Sequence, residues 1–134
     1  MRKHLGEHYF KQLMLALCQA QYMTSVSYNA QLTFSGHFIS YRGSMINWCP
    51  IGRDCSLEER ETWVSLDTKY KIRESMLRRL KSFPAFHHLE IKLGGETSFD
   101  IYPSGWDKTY AWNVFKEYDQ VYFIGDKCSP NGND

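Results

Sequence analysis

Arg42, Arg53 and Arg60 gather around one short stretch, PIGRDCSLEERETW, that reads as the entrance to a helix. Ser56-Leu57-Glu58-Glu59 fits a capping box, with the serine hydroxyl taking a backbone N–H and Glu59 reaching back to the cap residue, so a helix is expected from Leu57. Arg60 then stands in the first turn and Arg53 just upstream, near the positive end of the helix dipole, where cations are disfavoured. Something negative should offset them. Glu58, Glu59 and Glu61 could do so as ordinary ion pairs, and a bound phosphate could do so through guanidinium forks and exposed N–H groups. Three separate surface salt bridges would each contribute little. Convergence on one anion would use charge-assisted hydrogen bonds of about 1.5–3 kcal/mol apiece.

Two further groups carry oxygen chemistry. Ser98 and Asp100 alternate in SFDIYP and so share one face of a strand, where a hydroxyl and a carboxylate could bind sugar hydroxyls or simply be a polar strand surface. Asp126 and Asp134 bracket a Gly-rich loop, GDKCSPNGND, whose hard oxygens suit magnesium, although an ordinary Asp/Asn/Gly turn has the same composition. Lys108 upstream could hold a transferring phosphoryl group. His37, His87 and His88 lack spaced carboxylates and read as solvent-facing strand residues rather than metal ligands.

Composition narrows the classes. The chain has 134 residues, 43% hydrophobic and 16% aromatic, which is globular rather than disordered. Net charge is +1 from 16 basic and 15 acidic residues, so no general field favours nucleic acid or anionic lipid and any anion site must be local. No segment approaches the roughly 20 apolar residues of a membrane helix, so a soluble, cytoplasmic protein is expected with no membrane or nucleic-acid partner. Cys18, Cys49, Cys55 and Cys128 form no CxxC or zinc spacing and are expected as free, buried thiols.

The elements that must position these residues follow from periodicity. Tyr9, Phe10, Leu13, Met14 and Leu17 predict an amphipathic helix over Lys3–Tyr22 rather than a signal peptide, followed by a polar connector, 23–35. HFISYR and MINWC around Gly43-Ser44 predict a hairpin, 37–49. After the capped helix, Ile72, Met76, Leu77 and Leu80 predict a second helix from Thr68 to Phe83, stopped by Pro84. HLEIKL and SFDIYP around Gly94-Gly95 predict a second antiparallel pair. The expected fold is therefore α+β, a four-stranded antiparallel sheet with two helices on one face. A helix over Lys108–Tyr118 and a strand over Val121–Ile124 look like part of an open parallel sheet, and the first helix has no evident partner in the middle module. Both ends are thus expected to belong to an incomplete second domain. The expected division is 1–35 (helix and connector of that domain), 36–104 (the α+β module) and 105–134 (partial α/β core with the Asp126–Asp134 loop).

Taken together, HLGE, FISYRGSMINWCPIGRDCSLEER, GGETSFDIYPSGWDK and GDKCSPNGND resemble eukaryotic-type phosphomannomutases, a cap-bearing family of the haloacid-dehalogenase-like superfamily. The resemblance runs from about Phe38 to Asp134, and more weakly over His4–Cys18. It implies that the middle module is a cap and the flanks are pieces of a Rossmann-like core. It further implies that Arg42, Arg53 and Arg60 hold the non-reacting phosphate of the substrate and that Ser98 and Asp100 complete that site. Lys108 would match the core lysine at the phosphoryl site, Asp126 a magnesium ligand, and Asn133 and Asp134 the end of the same loop. Phe38 would lie in a cap-to-cap homodimer interface. Such enzymes interconvert mannose 6-phosphate and mannose 1-phosphate through a phosphoaspartate, with Mg2+ and a hexose 1,6-bisphosphate activator, and supply GDP-mannose for glycosylation. The family's DxDGT nucleophile motif does not occur in the sequence, so the chain alone is expected to be inactive. The alternatives are a non-catalytic phosphosugar-binding or dimerising cap and a related sugar-phosphate phosphatase.

Overall fold

Alternation of apolar and polar residues sorts the four strand segments into a single sheet. In the computed structural model, which describes residues 1–122 and 124, these are β1 (Ile39–Tyr41), β2 (Ile46–Trp48), β3 (Leu89–Gly94) and β4 (Ser98–Pro103). All neighbours are antiparallel, in the order β1-β2-β4-β3, so the two hairpins join through their second strands. The register sets Ile39, Trp48, Phe99 and Leu93 in one row and Tyr41, Ile46, Ile101 and Ile91 in another. Between them, on the opposite face, run Ser40, Asn47, Asp100 and Lys92. One face is thus apolar and the other polar.

Helices α1 (Arg2–Leu5), α2 (Glu7–Tyr28), α3 (Leu57–Tyr70) and α4 (Ile72–Lys81) complete a compact unit, Met1–Ser104. Trp48 stacks on Phe99 with ring centroids 5.0 Å apart, and residues of α2 and α4 line a cavity beside Trp48. Leu13 and Leu17 of α2 and Leu80 of α4 are buried. Gln21 fastens α2 to the second strand, its Oε1 accepting from Trp48 Nε1 at 2.8 Å and its Nε2 donating to Pro50 O at 2.9 Å. A second cluster, Leu32, Cys49, Ile51, Trp63 and Ile72, fixes α3 against the loop that follows β2.

Several expectations are corrected. The first helix does have a partner in the sheet module, through the Gln21 contacts. It is also interrupted at Gly6, whose φ of 82° breaks the helical run, and it continues to Tyr28. The polar residues beyond Tyr22 are accommodated because Thr24 and Ser25 return their hydroxyls to the carbonyls of Ala20 and Gln21. The second helix starts at Ile72 rather than Thr68, since Lys71 adopts a left-handed conformation (φ 53°, ψ 43°) and Asp67 receives the Arg73 backbone N–H at 2.7 Å. Cys18 is exposed, Cys49 buried and Cys55 half-buried, all three free, so burial holds for only part of the set; Cys128 lies outside the described residues.

A second unit begins at Gly105. Where a helix was expected over Lys108–Tyr118 there is a 3-10 turn, Lys108–Ala111, capped by Asp107, and a four-residue α5 (Trp112–Phe115). Val121, Tyr122 and Ile124 form no strand; Phe123 lies outside the described residues. Tyr122 and Ile124 are 86% and 94% exposed, and a strand without a hydrogen-bonded neighbour has no ladder to define it.

Candidate functional site

The polar face of the sheet, the loop after β2 and the start of α3 enclose a depression of about 390 Å³. Arg42, Arg53, Arg60, Ser98 and Asp100 all line it, so the structure brings together the arginine group and the strand pair that the family resemblance joins in one site. Arg42 comes from the turn that closes the first hairpin, where its N–H donates to Met45 O at 2.8 Å. Arg60 comes from the first turn of α3. The capping box forms as expected: Ser56 Oγ accepts from Glu59 N at 3.2 Å, and Glu59 Oε2 accepts from Ser56 N at 2.7 Å.

That cap takes up one of the carboxylates that could have neutralised the arginines. Glu59 gives its carboxylate to Ser56 N and, at 3.3 Å, to the Ser35 hydroxyl. Among the described residues no carboxylate forms an ion pair with Arg42, Arg53 or Arg60; the pairs present are Arg2–Glu7, Arg73–Asp67 and Lys92–Glu90. Three guanidinium groups therefore face one depression without a carboxylate partner.

Asn47, which sequence reasoning passed over, organises the floor. Its Nδ2 donates to Asp100 Oδ1 at 2.7 Å and to Ser98 Oγ at 3.0 Å, and its Oδ1 accepts from Arg53 Nη1. Ser98 in turn donates to Gly94 O at 2.8 Å. Gly94 has to be glycine here, because a Cβ would stand 2.9 Å from the Asp100 carboxyl carbon. The signal for Asn47 was present as a lone amide alternating with Ile46 and Trp48, which puts it on the polar face. Cys49 lines the same depression and donates weakly to Thr97 Oγ1 at 3.6 Å. Nearby, burial pushes the Cys55 thiol pKa up, with Cys49 adding to the effect and Arg60 opposing it.

Lys108 belongs to the second unit, where it opens the 3-10 turn. Asp126, Asn133 and Asp134 lie outside the described residues. Phe38 precedes β1, an edge strand, and its carbonyl accepts from Cys49 N at 2.8 Å. No helix among the described residues is long and apolar enough to cross a membrane.

Comparison with known proteins places the chain in a family. The family model for eukaryotic phosphomannomutase matches residues 1–134. A phosphomannomutase of Nicotiana benthamiana is 44% identical over 99 residues, covering 74% of this chain and 39% of its own length. One of Solanum lycopersicum is 37% identical across the whole chain and 51% of its own length, and one of Drosophila melanogaster is 43% identical over 102 residues, covering 74% and 40%. The chain thus spans between about two fifths and about half of the curated relatives it matches.

Proposed function

Because the chain belongs to the eukaryotic phosphomannomutase family, we propose that it is the substrate-binding part of an enzyme that interconverts mannose 6-phosphate and mannose 1-phosphate. The observation that carries this reading is the depression lined by Arg42, Arg53 and Arg60, none of which forms an ion pair with a described carboxylate although Asp100 and Glu96 line the same depression. In it the arginines hold the phosphate that is not reacting, and Ser98 and Asp100 receive the sugar hydroxyls. A guanidinium cluster rather than a single fork suits a mutase, since either end of a hexose bisphosphate must be held in turn while the other reacts. On this reading the Met1–Ser104 unit is the cap of a haloacid-dehalogenase-like enzyme, and it includes α2.

Lys108 would neutralise the transferring phosphoryl group, and the phosphoryl acceptor would be an aspartate of a DxDGT motif that this sequence does not contain. Asp126, Asn133 and Asp134 offer hard oxygen donors of the kind Mg2+ takes, and the ion would offset charge on the phosphoryl oxygens. A hexose 1,6-bisphosphate would serve as activator, GDP-mannose synthesis in the cytoplasm would use the product, and a homodimer would form through the edge strand beside Phe38.

Isothermal calorimetry with the 134-residue chain tests the binding claim. Mannose 1-phosphate should bind, and Arg60→Ala should weaken it about 10- to 100-fold, the loss of one charge-assisted contact of about 1.5–3 kcal/mol. Absence of heat with the wild-type chain at millimolar ligand would refute it. The depression lies wholly within Met1–Ser104, which favours binding by this chain without phosphoryl transfer: a coupled assay should find no mutase turnover, and turnover would overturn that part.

A further inference from the structure

We propose that Asn47 is a neutral spacer that keeps Arg53 from pairing with Asp100, and so leaves that guanidinium available to an anion. Asn47 and Asp100 are register partners on β2 and β4, and Asp100 faces the same depression as Arg53. A guanidinium and a carboxylate bonded to opposite ends of one carboxamide would, without it, be free to close on each other as a forked pair, which is among the stronger contacts available to either. The carboxamide stands between them. Its acceptor oxygen meets the Arg53 donor, and its amide donor meets the Asp100 acceptor at 2.7 Å and Ser98 Oγ at 3.0 Å. The opposite orientation would set donor against donor and acceptor against acceptor, so the network itself fixes the amide.

The placement is tightly held. Asn47 is 3% exposed, and both ends of its carboxamide are engaged. On the far side of Asp100, Gly94 leaves only the room the carboxylate needs. An amide in this position binds both charges and cancels neither. A shorter side chain would open the gap for Arg53, which is long and exposed, to fall onto Asp100; an aspartate would take Arg53 for itself and repel Asp100. Asn47 is thus a positioning residue, acting through Arg53. Its purpose rests on the reading of the depression as a phosphate site.

The test reads Arg53 directly. The 134-residue chain and Asn47→Ala are treated with phenylglyoxal, and modification of Arg53 is followed by peptide mass spectrometry. Removal of a hydrogen-bond acceptor alone would speed the reaction. Capture by Asp100 should slow it at least about threefold, and Asn47→Ala combined with Asp100→Asn should restore it, because the trap is then uncharged. Mannose 1-phosphate affinity should fall about tenfold in Asn47→Ala, one charge-assisted contact being diverted. Unchanged or faster modification of Arg53 in a folded Asn47→Ala chain overturns the inference. Thermal melting checks folding, and Asn47→Ser, whose hydroxyl is too short to bridge the gap, gives the same reading if alanine does not fold. Slowed modification in a chain whose wild type binds no mannose 1-phosphate refutes the phosphate reading and leaves the spacer standing.

Discussion

Glu59 adjoins Arg60 in sequence, yet its carboxylate is directed to the helix cap and to Ser35 and forms no ion pair with Arg60. Residues with such narrow duties should respond sharply to substitution. Gly94→Ala would push a methyl group against the Asp100 carboxylate, so it should lower stability by about 1–3 kcal/mol in urea unfolding and weaken mannose 1-phosphate binding as Asp100 leaves Asn47. Cys55 should answer to pH. Its thiol is held protonated by burial, and only thiolate reacts with iodoacetamide, so exposed Cys18 should be alkylated first at pH 8 and Cys55 should catch up at higher pH. The sign for stability follows: the raised thiol pKa contributes below the unfolded thiol value and is lost as pH rises through the folded one. At this scale the capping box put Arg60 in the first helical turn and the strand's two-residue period put Ser98 and Asp100 on one face, but only the family resemblance joined them with Arg42 and Arg53 into one site. Asn47 was not legible, since its meaning lies in partners 51 and 53 residues away.

The junction between α3 and α4 carries more of the structure than its sequence announces. Asp67 receives both the backbone N–H and Nε of Arg73 at 2.7 Å, and Arg73 Nη1 donates to Gly95 O at 3.0 Å, which ties the helix start to the turn beside the depression. The Asp67 and Arg73 side chains are each 12% exposed, so Asp67→Ala strands a charge in a poorly hydrated place and should cost about 3 kcal/mol by urea unfolding. Lys71 is left-handed without being glycine, and Lys71→Gly should stabilise the chain by about 1 kcal/mol, seen as a higher melting temperature. These features explain the misplaced helix start: Ile72, Met76 and Leu80 showed the buried face, but no glycine or proline marked a break that a carboxylate and a strained lysine create. The hairpins were legible because turn glycines and alternating strands are local. The extension of α2 to Tyr28 was not, because hydroxyl back-bonds and burial of Thr24 override a polar pattern.

At the scale of the whole molecule, α+β class and four antiparallel strands followed from the order of segments, whereas the partner of the first helix did not. Periodicity marked Leu13 and Leu17 as its buried face but not what they pack on, and the Gln21 contacts with Trp48 and Pro50 that help to fix it are ones no periodicity encodes. The sheet order β1-β2-β4-β3 has a kinetic consequence. Each hairpin can close by itself, but the floor of the depression exists only once β2 has found β4, with α3 and α4 looped out between them. Closing that long loop is an entropic step, and contacts across it tend to form late. A sugar phosphate that needs both strands should therefore have nothing to grip until the folding barrier is nearly crossed. In stopped-flow experiments saturating mannose 1-phosphate should slow unfolding and leave the refolding rate almost unchanged, so that the ligand acts as a latch on the finished fold and not as a guide toward it.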